Sequence, residues 1–210
     1  MGIYNLATKI ERKIKMHSPI IYIVENEKGL FKEMNYELDE DLIPCEEYLD
    51  ERLEESDWHE PNTIKRKNWH RGEWPIFELF DRSRYINAQE TNDTIKLQIN
   101  YENLKAWDED LIKVQEKYVE ENRQKLLDNK IFYPQYDLNF NDYMELQDKI
   151  GDAYGGTVYI LYKEYQGELE LYDVFKEKDL INYCKFEIIN QNKKTIDFEV
   201  CLNVVGDYHY

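Results

Sequence analysis

The chain has few of the residues from which common reaction centres are built. Its three cysteines, Cys45, Cys184 and Cys201, are odd in number and widely spaced. They lack the paired spacing of a zinc site and read as reduced thiols of a reducing cytosol. Only three serines occur, Ser18, Ser56 and Ser83, and none stands in a Gly-x-Ser-x-Gly elbow. Five prolines and eight glycines leave no long flexible linker. Gly155-Gly156 follows a predicted helix and precedes a strand, the wrong order for a phosphate-binding loop. No stretch approaches the ~18 continuous apolar residues of a membrane span. The basic start (Lys9, Arg12, Lys13, Lys15) leads only to the short run Ile20–Val24, with no small-residue cleavage site, so no secretory signal is expected.

Basic charge is also scarce. Lys and Arg number 27 against 44 Asp and Glu, a formal charge of −17. Phosphate binding needs a basic footprint, so nucleic acid and anionic membrane are disfavoured as direct ligands. The 42% hydrophobic content argues against global disorder, and 18 tyrosines offer ring area with a polar tip. The abundance of Lys, Asn, Ile, Glu and Tyr is what an AT-rich coding sequence gives. It points to the cytoplasm of a low-GC bacterium or of a phage-infected host.

The hydrophobic periodicity predicts the elements. Ile3, Leu6, Ile10 and Ile14 suit a short amphipathic helix, better packed on the protein than laid on a membrane. Residues 19–24 read as a buried strand, 26–29 as a turn and 30–38 as a returning strand. Residues 57–75 are irregular, and 76–86 fit no single class. Residues 94–101 alternate as a strand, and a helix follows from about 103 to 128 on Leu104, Trp107, Leu111, Val114 and Tyr118. A second helix is expected at 141–153. Strands at 157–163, 167–175, 183–190 and 195–205 then complete a sheet. The expected class is α+β: an antiparallel C-terminal β-sheet packed against two or more helices, in a single domain over residues 1–210.

What is abundant is acid, and it is unevenly placed. Residues 25–60 hold 15 acids and three bases, whereas residues 61–72 hold four bases and no acid. From Leu42 to Glu55, helical spacing puts Leu42, Cys45, Leu49 and Leu53 on one side. Glu46, Glu47, Asp50, Glu51, Glu54 and Glu55 fall on the other, in two rows that step by four. Like charges so spaced oppose a helix by roughly 0.2–0.5 kcal/mol per pair. Residues 46–55 span ~13.5 Å of helix axis, a length over which duplex DNA carries about eight phosphates. The face therefore approaches the charge density of DNA. Against this stands the reading of a solvated face in an acidic protein.

The acidic helix leads into a segment rich in Trp and His, so that about 39–75 forms one distinctive stretch. Trp58 and Trp69 are of the type that dominates interface hot spots, or else they cap the core. His59 and His70 are eleven residues apart, not a recognised ligand spacing, and no metal or other cofactor is assigned. Asp137 to Asp142 resembles the start of a calcium loop, but Asp142 stands where the sharp turn needs Gly.

The expectation is a non-enzymatic acidic inhibitor that binds a protein partner with a basic surface. The partner expected is a nuclease or defence enzyme, as for a phage anti-defence or toxin-immunity protein. Its contacts would be Glu46, Glu47, Asp50, Glu51, Glu54, Glu55, Trp58 and Trp69. Two alternatives compete with it. One is a metal-dependent hydrolase using His59, His70 and nearby carboxylates, and the other is a structural or assembly subunit.

Overall fold

Ile20 to Val24 is apolar at every position, so a strand there needs cover on both faces. The computed structural model, which describes residues 17–25, 29–53, 56–57, 68–69, 74–81, 83–128 and 157–209, supplies both. Strand β1 (His17–Glu25) lies inside a mixed sheet. The other strands of that sheet are β2 (Ser56–Asp57), β5 (Asn87–Glu90), β6 (Ile95–Asn100), β7 (Val158–Tyr165), β8 (Glu168–Lys176) and β9 (Thr195–His209). The order is β5-β6-β9-β1-β7-β8, with β2 paired to the far end of β9. β1 and β7 run parallel, and the remaining pairs are antiparallel. Strands β3 (Asn68–Trp69) and β4 (Trp74–Pro75) form a separate two-stranded ladder.

Side chains alternate between two cores. Ile21, Ile23, Tyr159 and Leu161 enter the first, with Leu97, Ile99, Trp107, Leu180 and Ile181. This face is covered by helices α3 (Phe77–Asp81), α4 (Tyr101–Leu127) and α5 (Glu177–Asn190). Ile20, Tyr22, Val24, Ile160 and Tyr162 enter the second, against Phe31, Leu38, Leu49 and Leu53. That face is covered by α1 (Leu30–Glu33), a 3-10 turn at Glu40–Leu42, and α2 (Glu46–Leu53). The result is a layer of helices on each side of one sheet. Two glycines fit it closely. A Cβ on Gly206 would lie 2.9 Å from the Ile20 Cβ, too close for any other residue without movement. Gln166 and Gly167 both have positive φ, 52° and 88°, the two-residue turn that joins twisted antiparallel strands.

Helix α4 is started by a reciprocal cap. The Asn100 side-chain oxygen accepts the backbone N–H of Glu102 (2.9 Å) and of Asn103 (3.2 Å). The Asn103 side-chain oxygen accepts the backbone N–H of Asn100 at 3.0 Å. The Asn103 amide also exchanges two 3.1 Å bonds with the Asn87 amide, which ties the helix to β5. Leu104, Trp107 and Leu111 are buried, whereas Ile112, Val119 and Leu127 further along are exposed.

The α+β class is as expected, and strands at 157–163, 167–175 and 195–205 match β7, β8 and β9 closely. The arrangement of the sheet is not as expected. It is neither confined to the C-terminal half nor wholly antiparallel, because β1 inserts between β7 and β9. Residues 183–190, expected as a strand, belong to α5. Their aromatic and β-branched content suggests a strand. The buried set Leu180, Ile181, Cys184, Glu187 and Ile188 has helical spacing once the acidic first turn of Glu177 and Asp179 is included. Residues 30–38 form α1 and a turn in place of a returning strand, with Asn35 and Tyr36 in the left-handed region at φ 55° and 61°. The helices expected within 3–14 and 141–153 lie outside the described residues.

Candidate functional site

Two concentrations of charge stand out, and they are built oppositely. The first is the acidic ridge. Leu49 and Leu53 are fully buried and fix α2 on the second core. Burying two leucines is worth roughly 1.5–3 kcal/mol each, enough to hold a helix against its own charge repulsion. Glu46, Glu47 and Glu51 are exposed, as are Asp39, Glu40 and Asp41 in the approach to the helix. The base of α2, Arg52, turns away from the ridge. Its guanidinium meets Asp173 on β8 at 3.4 Å and lies 5.6 Å from the Tyr48 ring centre. Among the described residues the ridge therefore gets no basic side chain from its own helix, although Glu46 and Glu47 stand in the first turn, where the helix dipole favours acid.

Asp50 lies within α2, but its side chain is outside what the structure describes, as is that of Trp69 in β3. Glu54, Glu55 and Trp58 lie outside the described residues, as do His59 and His70. Cys45, expected on the apolar side of the helix, is exposed just before its first residue, while Cys184 and Cys201 are buried. Among the described residues no group of three or more His, Cys, Asp or Glu side chains is placed to hold a metal ion. No described helix is long and apolar enough to cross a membrane.

The second concentration went unnoticed in the sequence. A cavity of about 230 Å³ opens at the carboxyl ends of β1 and β7, lined by Glu25, Lys163, Glu164, Glu187, Gln191 and Lys193. Glu25 is the last residue of β1 and only 4% exposed. Its carboxylate accepts the Tyr183 hydroxyl at 2.5 Å and lies 3.2 Å from both Lys163 and Lys193. Lys193 also reaches Glu187 at 3.1 Å, and the Gln191 amide donates to the other Glu187 oxygen at 2.9 Å. The Lys163 ammonium sits 4.1 Å over the Tyr172 ring and 4.7 Å over that of Tyr183. Phe175 stacks on Tyr183 at 5.6 Å.

An unpaired buried carboxylate would cost several kcal/mol, so this cluster stands only because its charges answer one another. Burial would raise the Glu25 carboxyl, but the Tyr183 hydroxyl and the two lysines outweigh it and hold it below its ordinary value of 4.5. Tyr183 is driven far up, by burial first and then by its bond to Glu25. Burial, followed by the negative charge of Glu25 and Glu187, likewise raises the Cys184 thiol, which is thereby unsuited to act as a nucleophile. Glu25 and Lys193 are 168 residues apart, so no local spacing could have joined them. The one available signal was a carboxylate directly ending an all-apolar strand.

Compared with protein-family models, with curated proteins and with solved structures, the chain shows no match.

Proposed function

We propose that this chain is a protein-binding inhibitor whose acidic ridge docks on a basic surface, the nucleic-acid channel of a nuclease or other DNA-handling enzyme. One observation carries the reading: the exposed carboxylates of Asp39, Glu40, Asp41, Glu46, Glu47 and Glu51 follow one another along a segment whose apolar side is anchored in the core. A row of fixed negative charge on a rigid support speeds encounter with a basic partner and repels nucleic acid. Glu54, Glu55, Trp58 and Trp69 are the proposed extension of the contact.

The test is affinity capture from a bacterial lysate, followed by competition. The expected result is a captured nucleic-acid-processing enzyme that duplex DNA displaces. Replacing Glu46, Glu47 and Glu51 with Gln should then slow association and flatten its salt dependence. Capture of a partner that DNA does not displace, or that binds the triple variant like the wild type, would sink the reading.

A further inference from the structure

We infer that Asn203 and Tyr162 are positioning residues. Together they strap the main chain of 38–42 to the sheet, and so fix the carboxylates of Asp39, Glu40 and Asp41 for a partner. The functional half of this inference rests on the docking reading above, whereas the strap itself does not.

The strap consists of side chains bonded to main chain. Leu38 is buried, so its N–H and C=O need partners other than water. The Asn203 amide meets both, accepting the Leu38 N–H at 3.1 Å and donating to the Leu38 carbonyl at 2.8 Å. A planar amide offers donor and acceptor side by side, as the peptide group of a neighbouring strand would. At the other end the Tyr162 hydroxyl donates to the Leu42 carbonyl at 2.9 Å. Between these anchors lies the 3-10 turn, closed by its own bonds from the Leu42 N–H to the Asp39 carbonyl (3.0 Å) and from the Ile43 N–H to the Glu40 carbonyl (3.2 Å).

Strand β9 is bent to reach the turn. Ile21 pairs with Val205 and Ile23 with Val200, so residues 201–204 stand opposite Tyr22 alone. The ladder with β6 ends at Glu199. A bulge of this kind re-aims side chains. Here it turns two successive residues to the same face: Val204 fills the second core, and Asn203 reaches Leu38 of that core.

What the strap carries contributes nothing to holding it. Asp39, Glu40 and Asp41 are exposed, and among the described residues none of their carboxylates makes a hydrogen bond or ion pair. Three adjacent like charges repel one another and oppose a tight turn. The fasteners are an amide and a hydroxyl, both neutral, which hold the turn without cancelling its charge as a lysine would. A turn ordered before encounter spares a partner the entropy of ordering it.

Amide hydrogen exchange on the full chain, read by NMR, tests the strap without a partner. The deciding amides are Leu42 and Ile43, whose acceptors belong to Asp39 and Glu40 and are untouched by Asn203→Ala. Both should exchange about tenfold faster or more in that variant, while the amides of β1 and β7 keep their wild-type rates. Tyr162→Phe, which loses a single oxygen, should give a smaller rise at the same two amides and carries the test if Asn203→Ala fails to fold. Unchanged exchange at Leu42 and Ile43 in a folded variant overturns the strap, as does a rise shared equally by β1 and β7. Binding to the enzyme captured as above tests the function. Asn203→Ala should weaken that complex by about tenfold, and should weaken it no further once Asp39→Asn, Glu40→Gln and Asp41→Asn are in place. Additive losses overturn the positioning role. A complex indifferent to Gln at 46, 47 and 51 sinks the docking reading, and with it the functional half, while the exchange result stands.

Discussion

The two acidic regions solve one problem in opposite ways. On the ridge, Glu46, Glu47 and Glu51 are left to water, and only the leucines beneath them are held. At the cavity, Glu25 and Glu187 are taken out of water and held by Tyr183, Lys163, Lys193 and Gln191. The same residue type is thus dispensable to the fold in one place and integral to it in the other. The net charge of the whole chain, −17, does not distinguish them.

The largest effect should come from Glu25→Ala, which removes the common partner of two lysines and a buried hydroxyl. Breaking a buried pair destabilises by about 3–5 kcal/mol, with the lower figure expected here because both lysines are partly exposed and can turn to solvent. Urea unfolding measures it. A loss no greater than that of Glu47→Ala would erase the distinction between the regions. Next comes Leu49→Ala, which opens a cavity beneath the ridge and should cost about 3 kcal/mol by the same measurement. A much smaller loss would mean that α2 is not anchored where the structure places it.

Acid titration sharpens the contrast. The carboxyl of Glu25 is depressed in the folded protein, so its contribution is complete above the unfolded value near 4.5 and disappears as pH falls through the lower folded value. Stability followed from pH 6 to pH 2 should fall in that range, and Glu25→Gln should fall less. Equal slopes would remove Glu25 as a source of the acid sensitivity. The smallest effect is a gain. Glu51→Gln relieves its repulsion with Glu47 and removes an acid from the last turn, where the helix dipole disfavours it, and should stabilise by roughly 0.2–0.5 kcal/mol, less in high salt. A loss of stability in thermal melts would show that Glu51 has a compensating contact.

The legible parts of the molecule were those governed by local pattern. Leu49 and Leu53 at helical spacing identified α2, and alternation of Ile95, Leu97 and Ile99 identified β6. The turn at Gln166-Gly167 obeys a local rule of the same kind, since positive φ narrows the choice of residues. What pattern could not reveal was pairing between distant segments. Nothing in Ile20–Val24 says that its neighbours will be Val158–Tyr162 on one side and a strand near residue 200 on the other. The cavity follows from that pairing, so its residues were individually unremarkable until the sheet was assembled. Helix α5 was hidden for a further reason: Glu187 occupies a buried position where a helical pattern calls for an apolar residue.

The position of β1 bears on how the chain is made. It is synthesised before both strands that flank it, at 158–165 and 195–209, which come more than a hundred residues later. Until then a strand that is apolar from Ile20 to Val24 has neither ladder partner, and neither face can be closed by a finished sheet. Pairings this distant in sequence fold slowly, and exposed apolar strands aggregate meanwhile. Refolding yield should therefore fall with protein concentration and recover with a chaperone that holds extended apolar segments, whereas the folded protein, its centre already closed, should tolerate high concentration.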